Sequence, residues 1–146
     1  MSNVRYGILE NLKAALAGIT IANGYQSDVA SASRQFESWE NMTSEKFPAL
    51  FLLDDGREEI EDIAGDWVIA IMYPTIVGYV RDKTDIALAF GKMDADIKKF
   101  LYSSPNLGSY AKIIAYQGYE AIFTIDDFVI FQLRPKIVYD FPKSDP

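Results

Sequence analysis

Only two stretches of this chain carry apolar residues at the three-and-four spacing of a helix, and the rest of its apolar content comes in strand-like runs. In the first, Val4, Ile8, Leu12, Leu16 and Ile19 form a stripe that Leu9 and Ala15 widen, with Arg5, Glu10 and Lys13 elsewhere. The second runs from Asp82 to Ser104, where Ile86, Phe90, Met93, Ile97 and Leu101 share a face beside Ala89 and Phe100. Strands are predicted over 27–38, 48–54, 67–73, 111–116, 119–124 and 128–139. Helix, three strands, helix, three strands is too poor in helices for alternating βαβ units. The predicted class is therefore α+β, a mostly antiparallel β-sheet with two amphipathic helices packed on one face. The 146 residues make a single domain, 1–146, with the last few residues expected to form a flexible tail.

Local signals sharpen the boundaries. Ser2 or Asn3 caps the first helix, Gly18 offers a left-handed C-terminal residue, and Asn23-Gly24 marks the next turn. Asp82 is the predicted cap of the second helix, Lys98 and Lys99 suit its C-terminal end, and Gly91 marks a close backbone contact. In the strand 27–38, Ala30, Ala32 and Phe36 are expected to face inward, with Arg34 breaking that face. The run Ala49-Leu50-Phe51-Leu52-Leu53 suits a strand buried on both sides, with Trp67–Tyr73 as its predicted neighbour. Between them, Asp54–Asp62 forms a long hairpin loop or a small extra ribbon. Turns fall at Gln117-Gly118 and Asp126-Asp127, and Pro135 points to an edge or a bulge.

Composition limits the chemistry. Cysteine and histidine are both absent, which removes disulfides, thiolate nucleophiles, Cys/His zinc sites and imidazole as a general base. A net charge of −7 opposes wrapping of nucleic acid. The longest nearly apolar run, Trp67 to Val80, is broken by Pro74 and Gly78 and falls short of the roughly 20 residues of a spanning helix. Arg5, Glu10 and Lys13 interrupt any signal-peptide core, so a soluble protein retained in its compartment of synthesis is expected. Glycine-rich phosphate loops are missing.

Two clusters call for weighing. The stretch 54–66 holds seven carboxylates (Asp54, Asp55, Glu58, Glu59, Glu61, Asp62 and Asp66) against Arg57, without the spacing of a calcium loop. A solvated or subunit-contacting loop explains it better than a metal site. Tyr102, Tyr110, Tyr116 and Tyr119 have only Lys112 beside them, so packing explains them better than base stacking. Asp126-Asp127 is ordinary turn chemistry. No catalytic, cofactor-binding or metal-ligating residue is assigned.

The first helix with Ile8, Leu9, Leu12 and Leu16, then Gly24-Tyr25, Arg34-Gln35-Phe36, Phe47-Pro48-Ala49-Leu50, the Trp67 strand and Met93-Asp94-Ala95-Asp96-Ile97 together resemble the tail terminator (tail-completion or minor tail) proteins of long-tailed bacteriophages. The likeness covers residues 4 to about 139. It implies a structural virion protein, not an enzyme, whose homohexameric ring caps the tail tube. Its implied partners are copies of itself, the tail tube protein and a head-tail connector or head-closure protein. DNA would pass through without specific binding, assembly would take place in the host cytoplasm, and no membrane is involved. Like charge lining such a lumen repels the passing DNA. Another neck component, a strand-addition adaptor or, last, a carboxylate enzyme are the alternatives. Within the ring reading, Arg34, Asp54, Asp55, Glu58, Glu59, Glu61 and Asp62 are the candidate interface or lumen residues. An unpaired guanidinium on the strand of Arg34 would be costly, so a carboxylate from the loop after Asp54 is expected to meet it across subunits. The alternative is that Arg34 is exposed or paired within its own chain.

Overall fold

A computed structural model describes residues 3–146 and places two helices against a mostly antiparallel set of strands. Helix α1 spans Val4–Ala17 and buries Val4, Ile8, Leu9, Leu12 and Leu16. The Asn3 side chain caps it by accepting from the Tyr6 amide at 3.3 Å. Gly18 ends the helix on the right-handed side (φ −82°), and the left-handed turn expected there comes at Gly24 (φ 92°).

The strands are β1 (Ser31–Ser33), β2 (Ala49–Leu53), β3 (Glu58–Ala64), β4 (Trp67–Met72) and β5 (Thr75–Arg81). After helix α2 (Ile86–Tyr102) come β6 (Ala111–Ala115), β7 (Tyr119–Ile125), β8 (Phe128–Leu133) and β9 (Lys136–Pro142). They form two sheets, ordered β1-β2-β5-β8-β7 and β3-β4-β9-β6. The sequence gives no sign of this division, whose cause lies in two prolines. Strands β4 and β9 pair antiparallel, as do β5 and β8, and one register runs through both ladders. Met72 lies opposite Ile137 before the break, and Ile76 opposite Leu133 after it. That register sets Pro74 opposite Pro135, where neither can donate a ladder hydrogen bond. The two-stranded ladder bends there and passes from one sheet to the other. Pro135 thus splits the predicted strand 128–139, where an edge or bulge was expected.

Several other expectations are corrected. Strand 27–38 shrinks to the three residues of β1, which run parallel to β2, and Ala30 and Phe36 are exposed. The inward face fails because the chain leaves the sheet after Ser33 to cross it. The neighbour of β2 is β5, with Leu50 opposite Gly78, while Trp67–Met72 belongs to the other sheet. Asp85, not Asp82, caps α2 by accepting from the Leu88 amide at 3.0 Å. Asp82 instead accepts from Thr84 and Asp85 in the preceding turn. Gly91 makes no close contact within the chain: a side chain there would meet nothing.

Both helices and the inner faces of both sheets share one core, built from residues such as Leu12, Leu52, Met72, Ile76, Met93, Ile97, Phe131 and Ile137. The second face of the five-stranded sheet carries a smaller cluster, Ala49, Phe51, Val77 and Tyr79, covered by Trp39, Met42 and Phe47. Strand β2 is thereby buried on both sides, as its unbroken apolar run predicts. At the far end of the chain, the Val4 amide donates to the Pro146 carbonyl at 3.1 Å.

Candidate functional site

The seven candidate residues fall into three environments. Around the N-terminus of α1, Arg5 bridges Asp54 (Nε to Oδ1, 2.9 Å) and Glu58 (Nη1 to Oε1, 3.1 Å). The Tyr139 hydroxyl of β9 also donates to Glu58. Burial and that bond to Glu58 raise the Tyr139 hydroxyl well above its ordinary pKa. Next to this group, Arg34 pairs with Glu10 (Nη1 to Oε2, 3.2 Å) and reaches Asp54 at 4.0 Å, with its guanidinium over the Tyr6 ring. Lys13 closes the chain of charges on Glu10 at 3.2 Å, and bonds from Lys13 and then Arg34 hold the Glu10 carboxyl below its usual value. Arg34, Asp54 and Glu58 therefore find cations or carboxylates within their own chain.

The second environment lies where the sheets diverge. Four of the five passages between them, those after β2, β4, β6 and β8, line a cleft of about 520 Å³. Gly56, Arg57, Tyr73, Glu120 and Arg134 form its walls. Gly56 adopts φ 93°, and a Cβ there would run into the Tyr73 carbonyl and the Arg134 guanidinium. Arg134 is held by Glu120 at 2.8 Å and Asp55 at 3.4 Å, while the Thr75 hydroxyl donates to Asp55 at 2.5 Å. Arg57 pairs with Glu59 at 2.7 Å and lies over Tyr73. Every charge named here is matched by another within the described residues.

The third environment is the outer half of the β3–β4 ribbon, which the sequence offered as one of two forms for the acidic stretch. A bulge at Glu61 keeps Ile60 and Ile63 on one face, opposite Ala70 and Val68. Both isoleucines are bare, 54% and 57% exposed. Among the described residues, neither Glu61 nor Asp62 meets a cation, in contrast to Glu58 and Glu59 at the ribbon's base. Asp62 accepts only from the neighbouring Ile63 amide at 2.8 Å. No three acidic side chains among the described residues converge on a common point.

Sequence reasoning missed Arg5, Glu10 and Tyr139 as partners in the first environment. Arg5 and Glu10 appear in the sequence only as polar interruptions of a helix stripe, and Asp54 lies 49 residues from Arg5. The tyrosine reading is also amended. Tyr102, Tyr116 and Tyr119 do lie in a row, with ring centroids 6.0 Å apart, but the cation over Tyr116 is Lys98. Lys112 pairs with Asp140, and Tyr110 packs on Trp67. Asp127 in the tight turn pairs with Arg81 at 3.1 Å.

No protein-family model matches the chain, and a search among curated proteins finds no relative.

Proposed function

We propose that the chain is a tail terminator of a long-tailed bacteriophage, a ring-forming structural protein that caps the tail tube and joins it to the head connector. The observation that carries this reading is the β3–β4 ribbon. Its outer half extends beyond the core, bares Ile60 and Ile63, and holds carboxylates that meet no cation among the described residues. A monomer gains nothing from such a projection, whereas a head-to-tail contact between different surfaces of identical copies closes a ring. The net charge of −7 per copy suits a channel that DNA must traverse without sticking. About six copies would carry roughly −42, so assembly is expected to depend on salt. Negative-stain images of the purified protein, alone and mixed with tail tubes, test the proposal. Rings that sit on tube ends support it, and particles that neither form rings nor bind tubes remove it.

A strand-addition adaptor is the second reading, favoured by one edge. Strand β7 closes the five-stranded sheet with a single charge, Glu120, in seven residues, and leaves Ile122, Phe123 and Ile125 exposed. An edge without charged guards invites a further strand. Capture of extended peptides by a persistent monomer would favour it over the ring.

A further inference from the structure

We infer that strand β7 is the edge on which a second copy of this chain docks, its own β7 running antiparallel about a twofold axis at Phe123. A twofold contact is complete with two copies and closes no ring, so the inference stands apart from the ring reading. The two-residue turn Asp126-Asp127 makes Ile125 and Phe128 a pair that exchanges hydrogen bonds. By alternation Phe123 and Ala121 also spend their amides and carbonyls on β8, opposite Ile130 and Gln132. Ile122 and Thr124 are left with both groups directed away from β8. Because β7 closes its sheet, no strand among the described residues receives them.

A register centred on Phe123 uses all of these groups, since it sets Ile122 of each copy opposite Thr124 of the other. Phe123 then meets its twin in the closer, non-hydrogen-bonded kind of pair, with Cα atoms about 4.5 Å apart. Ala121 falls opposite Ile125 at either end, so small side chains face large ones along the strand. Phe123 is 58% exposed and lies opposite Ile130, which packs on the cluster of Phe51 and Tyr79. Two phenyl rings joined on the axis extend a core that the chain already has.

Charge selects this edge over the others. Each copy carries −7, and a twofold contact sets a strand against its own sequence. Self-pairing of β3 would stack its four carboxylates in seven residues against each other. Strand β1 has three residues, and β6 keeps three in regular register after its bulge, against the five of β7 from Ala121 to Ile125. The acid of β7, Glu120, lies at the bulge before that run and is held by Gln132 at 3.1 Å and Arg134 at 2.8 Å. A like-charge meeting falls beyond the ladder's ends, where the register brings Asp126 of one copy toward Glu120 of the other. Salt screens that repulsion, so this contact tightens as salt rises.

Sedimentation velocity and amide hydrogen exchange, each across protein and salt concentrations, test this with Phe123→Lys, Thr124→Pro and Asp126→Asn. A dimer is expected whose formation slows exchange at Ile122 and Thr124, the amides that no ladder of the monomer uses. Phe123→Lys sets two ammonium groups on the axis, and Thr124→Pro removes an outward amide at an edge, where proline is tolerated. Each is expected to weaken the dimer on the order of tenfold or more. Asp126→Asn keeps a residue that tolerates the left-handed turn (φ 52°) and is expected to tighten the dimer several-fold, which damage to the fold cannot do. A parent that stays monomeric at every concentration overturns the contact. So does a parent that associates with the Ile122 and Thr124 amides still open, and rings seen in that case leave the ring reading in place. Exchange that slows only when an extended peptide from another protein is added also overturns it, in favour of the strand-addition reading.

Discussion

The Phe131 ring occupies the space that a side chain at Gly78 would need. The two residues face each other across the β5–β8 ladder, and a Cβ at 78 would overlap the ring. In the sequence Gly78 merely interrupts an apolar run, because the aromatic that requires it lies on another strand. Gly78→Ala is expected to cost about 1 to 3 kcal/mol through overpacking, since Phe131 is fully buried and has nowhere to retreat. Urea denaturation checks it: a midpoint equal to the parent's would mean the ring moves freely.

Met93 sits at the centre of the stripe by which α2 meets the core and is fully buried. Truncation of Met93 to Ala removes its packing and leaves a cavity, at an expected cost of about 2 to 5 kcal/mol. Lys92, one residue earlier, is exposed, so Lys92→Ala should leave the unfolding free energy within about 0.5 kcal/mol of the parent's. The contrast between the neighbours tests the orientation of the helix.

How far the sequence could go is visible in these elements. Helix stripes are local patterns, so α1, α2 and their buried faces follow from spacing alone. The doubly buried β2 is also legible from its composition. Pairing is not: Leu50 opposite Gly78, or Pro74 opposite Pro135, depends on residues distant in sequence. For the same reason the acidic stretch is visible as a cluster, while its division into an ion-paired base at Glu58 and Glu59 and an unpaired outer half needs Arg5 and Arg57 placed in space.

Three tyrosine hydroxyls are raised above their ordinary value, that of Tyr79 by burial and those of Tyr119 and Tyr139 by burial and a carboxylate, so alkali is expected to weaken the fold. Burial, then the bond to Asp94, raises the Tyr119 hydroxyl, as burial and Glu58 raise that of Tyr139. A raised acid keeps its proton in the folded state while the unfolded chain begins to lose it at the ordinary value of 10.0. The contribution to stability is complete below that pH and declines as pH rises through the folded value. Denaturation midpoints should therefore fall above about pH 10, and Tyr119→Phe together with Tyr139→Phe should flatten that fall. Tyrosinate absorbance of the folded protein gives the independent reading: Tyr79, Tyr119 and Tyr139 should ionise after the other tyrosines. If all nine titrate together while the fold is intact, the assignment fails.

Arg34 distinguishes a contact within the chain from one between copies. Its guanidinium meets Glu10 at 3.2 Å and Asp54 at 4.0 Å on the same molecule, and Lys13 shares Glu10. The side chain is only 20% exposed, yet Glu10 and Asp54 are each about a third exposed, so solvent screens the pairs. Arg34→Glu sets three carboxylates side by side and is expected to cost on the order of 1 kcal/mol of stability. Because the partners belong to the same chain, Glu10→Arg in the same molecule should restore much of that loss. Self-association should then be unchanged in Arg34→Glu once the protein is held well below its melting temperature. Light scattering across salt concentrations measures this directly. If assembly is lost while the monomer stays folded, and charge reversal at Asp54, Asp55, Glu58 or Glu59 restores it, Arg34 exchanges its internal partners for those of a neighbour on assembly. In that case the ionic group around α1 forms part of the contact between copies.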